Sequence, residues 1–73
     1  MQAVDILIHI NEALEVNQQQ KLESELRDID GVVAPRFNKP HLLLVSYNLN
    51  KTNTAVLLNV VKEKGYQAQL VGL

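Results

Sequence analysis

Two histidines, His9 and His41, and two nearby carboxylates, Glu12 and Glu15, are the side chains of this sequence that could hold a metal ion. Imidazole nitrogen and carboxylate oxygen together suit Zn²⁺ or Ni²⁺. Spacing alone does not assemble them: no His-x-His or His-x-x-x-His pair exists to set two rings on one face. The sequence contains no cysteine, so a thiolate metal clip, a disulfide and a cysteine nucleophile are all excluded. No serine stands at a recognisable distance from a histidine. The three glycines, Gly31, Gly65 and Gly72, form no phosphate-cradling loop. Asn11–Glu15 carries two carboxylates and would repel a bound phosphate. Neither an enzyme nor a cofactor is implied.

The supply of elements to position these groups is limited. The chain has 73 residues, enough for a single domain over 1–73 with a small core. With 47% hydrophobic and 21% charged residues it reads as globular. A net charge of -1 gives no attraction to a phosphate backbone or an anionic bilayer, so neither nucleic acid nor membrane is expected as a partner. Nucleic-acid stacking would also need aromatics on an open sheet face. Only Phe37, Tyr47 and Tyr66 exist, and strand parity turns both tyrosines inward. Met1–Asp5 lacks the basic start of a signal peptide, and no apolar run nears the roughly 18–20 residues of a bilayer span. A soluble, cytoplasmic protein is expected.

Hydrophobic periodicity divides the chain into six elements. Ile6–Ile10 alternates as a strand, with Ile6, Ile8 and Ile10 on one face and Leu7 and His9 on the other. Asn11–Val16 is a loop. Asn17 with Gln20 fits a capping box, and Leu22, Leu26 and Ile29 follow as one helical stripe that Gly31 ends. Val32–Phe37 is a second strand, and Pro35 favours an edge position for it. His41–Tyr47 is the strongest strand. Thr52 or Asn53 caps a helix over Thr54–Lys64, with Leu57, Leu58 and Val61 as its apolar stripe. Tyr66–Val71 is the last strand. The order βαββαβ predicts an α+β, ferredoxin-like sandwich: a four-stranded antiparallel sheet of order 4-1-3-2 with two helices on one face.

In this order and spacing the chain resembles the heavy-metal-associated, copper-chaperone-like domains. The resemblance covers nearly the whole length. It is sharpest at Leu57-Leu58 and Val61 followed by Lys64-Gly65-Tyr66-Gln67-Ala68-Gln69-Leu70. Leu22, Leu26 and Ile29 before Gly31-Val32, and Val45-Ser46-Tyr47-Asn48, support it. The family holds its metal with a Cys-x-x-Cys pair, usually preceded by a Met. The resemblance places those cysteines at Glu15 and Gln18 and the Met near Ala13. Carboxylate and amide oxygens are hard donors and match Cu(I) poorly, so the resemblance implies the fold with a degenerate metal site.

The same parity puts Leu7, Leu42 and Leu44 on the sheet face that no helix covers. His9 and Ser46 lie at their rim. Contiguous leucines on a solvent face mark a contact surface. The sequence therefore suggests a small, non-enzymatic interaction or regulatory module whose partner is another protein or a second copy of itself. A His/Glu metal-handling protein is the alternative. Parity argues against that alternative, because His41 shares the inward parity of Leu43, Val45 and Tyr47 while His9 faces outward.

Overall fold

The computed structural model describes residues 3–71. The elements are β1 (Ala3–Ile10), α1 (Val16–Arg27), β2 (Val32–Lys39), β3 (Leu42–Asn48), α2 (Thr54–Glu63) and β4 (Ala68–Val71). All strand pairs are antiparallel, and the sheet runs β2-β3-β1-β4. This is the expected 4-1-3-2 order read from the other edge, so the two most apolar strands sit in the centre and Pro35 on an edge strand.

Alternation decides which side of the sheet is covered. Ile8, Ile10, Leu43, Val45 and Tyr47 point to the helices and are buried with Leu22 and Leu26 of α1 and Leu57 and Val61 of α2. One face of the sheet therefore carries both helices and the whole core. At about 25 cal/mol per Å² of apolar surface, this interleaving is the main force holding the layers together.

Both helix starts are capped. Asn53 accepts the Val56 N–H at 3.0 Å and opens α2, as its sequence position suggested. The α1 cap differs from the expected Asn17–Gln20 pair. Its N-cap is Glu15, whose N–H donates to Gln18 Oε1 at 2.9 Å. The reason lies one residue earlier. Leu14, read from sequence as part of a loop, is buried in the core. Its anchoring lets the helix begin at Val16, and Gln19 Nε2 donates to the Leu14 carbonyl at 2.9 Å.

Gly31 joins α1 to β2 at a φ of 101°. The Asn48 N–H donates to its carbonyl at 2.6 Å, which ties the turn to the end of β3. A Cβ at Gly31 would lie 2.7 Å from Lys51 Cβ, so glycine is required both for its dihedral and for its lack of bulk.

Candidate functional site

The uncovered face of the sheet is built from β1, β3 and their two neighbours. Leu7 and Leu44 are direct register partners, as are His9 with Leu42 and Asp5 with Ser46. Ser46 Oγ donates to Asp5 Oδ1 and closes one end of the face. Continuing outward, Val71 of β4 pairs with Leu7, and Arg36 of β2 pairs with Leu44. A single row across all four strands therefore reads Arg36, Leu44, Leu7, Val71. The next row reads Lys39, Leu42, His9, Gln69.

Leu7, Leu42, Leu44 and Val71 are all half-buried, and none belongs to the core cluster. Neighbouring strands shield them partly, so they are less exposed than Leu70 at 45% or Leu49 at 52%. The sequence placed Leu7, His9, Leu42, Leu44 and Ser46 together on this face, and the register sets all five on two adjacent strands. Val71 was missed. Its parity was legible as opposite to that of Leu70, but only the β1–β4 register sets it beside Leu7.

The histidines depart from the sequence expectation. His41 lies just ahead of β3, outside the regular pleat, so strand parity does not fix its side chain. Its ring stacks on His9, with centroids 5.9 Å apart and planes inclined by 11°. His41 Nδ1 donates to the Ile10 carbonyl at 2.8 Å. A carbonyl only accepts, so the ring carries its proton on Nδ1 and, when neutral, keeps a lone pair on Nε2. His9 Nδ1 is buried and has no hydrogen-bond partner among the described residues.

The two glutamates do not join them. The Glu12 carboxylate accepts the Gln67 N–H at 3.0 and 3.3 Å. Asn11 adds two bonds to Gln67, from its backbone N–H at 2.8 Å and from Nδ2 at 3.1 Å. Glu12 thus fastens the loop after β1 to the start of β4. Glu15 is the α1 cap. Among the described residues, no three His, Cys, Asp or Glu side chains are grouped to hold a metal ion.

At the positions the resemblance assigns to the family's cysteines, Glu15 and Gln18 are bonded to each other as a helix cap. The Gln18 amide oxygen is occupied by that bond, and both residues offer only hard donors. This loop does not fit Cu(I). Met1, the sequence's one thioether, lies outside the described residues. Beside Gln18 a shallow cleft of about 250 Å³ is lined by Lys21, Leu22, Glu25, Lys64 and Tyr66. Lys64 Nζ bridges it to the Glu25 carboxylate at 2.6 Å.

A ferredoxin-like sandwich with one bare sheet face and a cysteine-free first loop is the class of domain defined so far. No protein-family profile matches the sequence, and no curated protein matches it. Solved structures do match in fold. Oxidised MerP from Ralstonia metallidurans CH34 superposes with a TM-score of 0.85 at 11% identity, covering 97% of this chain and 100% of that one. The N-terminal domain of a potential copper-translocating P-type ATPase from Bacillus subtilis, in its Cu(I)-loaded state, gives 0.83 at 22% identity over 97% and 90%. The CopZ metallochaperone gives 0.80 at 20% identity over 93% and 100%. The resemblance to heavy-metal-associated domains thus holds at the level of fold, and the Cys-x-x-Cys pair is absent from this chain.

Proposed function

We propose that this protein is a non-enzymatic interaction or regulatory module on the heavy-metal-associated fold, working through its open sheet face. One observation carries the reading. Leu44, Leu7 and Val71 form an unbroken apolar row on the side of the sheet opposite both helices, with Leu42 in the adjoining row. Apolar side chains held on a rigid central pair of strands give a partner a flat, preformed surface. Arg36 and Lys39 on one flank and Asp5 at one end supply a polar rim. The partner is another protein or a second copy of this chain.

The structural neighbours of this chain include a metallochaperone and a domain of a potential copper-translocating ATPase, which supports a module that acts beside metal-handling proteins. Its own first loop lacks their thiolates. Among the described residues no helix is long and apolar enough to cross a membrane.

Light scattering of the untagged protein over a concentration series tests the reading. Association in the wild type that Leu44→Glu abolishes, with the helical and strand signals of circular dichroism intact, is the expected result. If the charged variant still self-associates or still captures the same partner, the open face is not the contact surface.

A further inference from the structure

We propose that Glu23 is a gatekeeper of the sheet edge: its carboxylate, together with Pro35, closes β2 against the addition of a further strand. This edge lies apart from the open face, so the closure holds whether or not Leu7, Leu42 and Leu44 take a partner.

The ladder fixes the direction of each backbone group. In an antiparallel pair the N–H and C=O of one residue face the same neighbour, and successive residues face opposite sides. The Ile10 N–H donates to the His41 carbonyl at 2.9 Å, and the Asn48 N–H donates to the Gly31 carbonyl at 2.6 Å. Odd-numbered residues of β3 therefore turn their backbone toward β1 and even-numbered ones toward β2. Leu44 and Ser46 pair with Arg36 and Ala34, which turn back toward β3. Pro35 and Phe37 consequently face outward, to the edge.

Neither outward residue offers a donor. Pro35 has no N–H. The Phe37 N–H donates to Glu23 Oε2 at 2.9 Å, a bond thrown from α1 across to the strand beneath it. Register shifts interrupt the pairing on both sides, between Val32 and Ala34 and between Phe37 and Lys39. The regular run of β2 is thus Ala34–Phe37, and within it no outward N–H is left free. An incoming strand would also meet the Glu23 carboxylate where it must place a carbonyl oxygen, and two acceptors repel there. Unpaired edges template association, and proline, bulges and charge are the means of blunting them. This edge has reason to be blunted, because β2 runs for 8 residues and Val33 on it is 46% exposed.

Hydrogen exchange of the Phe37 amide, followed by NMR, is the first test. Glu23→Ala should speed it by about tenfold or more, while the amides of the β1–β3 ladder keep their rates. Glu23→Gln keeps an acceptor oxygen and should speed it less. The second test is light scattering of Glu23→Ala/Pro35→Val on the Leu44→Glu background, which disables the open face. Pro35 is buried opposite Val45, and valine keeps apolar bulk there while restoring an outward N–H. The expected result is a mass that rises with concentration above that of the Leu44→Glu parent, as β2 pairs with β2 of a second copy. An unchanged Phe37 rate in Glu23→Ala, or a folded triple variant with the mass of its parent, overturns the proposal.

Discussion

Gly31 and Gly65 both adopt positive φ, 101° and 92°, yet their surroundings differ. A Cβ at Gly31 meets Lys51 Cβ at 2.7 Å and Thr52 Cγ2 at 3.3 Å, whereas nothing lies within 4 Å of one at Gly65. Gly65→Ala should cost only the left-handed backbone penalty, about 1 kcal/mol. Gly31→Ala adds a backbone shift beside Lys51 and should cost about 2–3 kcal/mol. Urea unfolding of the two variants checks the order, and equal losses would mean that the Lys51 contact relaxes freely. Thr52 makes the opposite case. It is 7% exposed, and its hydroxyl has no hydrogen-bond partner among the described residues. Thr52→Val removes a desolvated polar atom with little change of shape, so it should raise stability by about 1 kcal/mol. A lowered unfolding midpoint would show that the hydroxyl is satisfied in solution.

The first loop is where the elements and the chemistry separate. Leu14 anchors it in the core, Glu12 fastens it to β4, and Glu15 with Gln18 turns it into α1. We infer from the resemblance that Glu15 and Gln18 stand at the positions of the family's cysteines. Glu15→Cys/Gln18→Cys should then gain Cu(I) binding that the wild type lacks, measured against a colorimetric Cu(I) chelator. The swap removes the Gln18 acceptor from the α1 cap and should lower stability by about 1 kcal/mol in the absence of metal. A folded double variant that takes no Cu(I) would show that the register of the loop is shifted.

This loop also marks where reading the sequence stopped working. The strands and both apolar stripes were legible because alternation and helical spacing record burial directly. Asn53 was legible as a cap because its side chain acts locally. The α1 cap was not, since Asn17-x-x-Gln20 and Glu15-x-x-Gln18 are equally good local patterns. The choice between them was made by Leu14, through a tertiary contact. The His9–His41 contact was hidden for a related reason. Parity holds only inside a strand, and His41 stands one residue outside β3.

At the scale of the whole molecule, β3 keeps the core and the proposed contact face one residue apart. Leu43 is 0% exposed and touches the core, while its neighbour Leu44 is half-buried on the opposite face. A domain of this size is expected to be stable by about 4–10 kcal/mol in total. Leu43→Ala opens a cavity under both helices and should cost about 2–5 kcal/mol, a large share of that margin. Leu44→Ala removes similar apolar bulk from a face without a covering layer, so its cost should be about 1 kcal/mol. Association should respond in the reverse order. Under conditions where both variants are still folded, Leu43→Ala retains the contact surface and Leu44→Ala weakens it. Thermal unfolding and light scattering on the same two proteins provide both readouts. If Leu44→Ala proves as destabilising as Leu43→Ala, the leucines of the open face serve the stability of the sheet itself and not a partner.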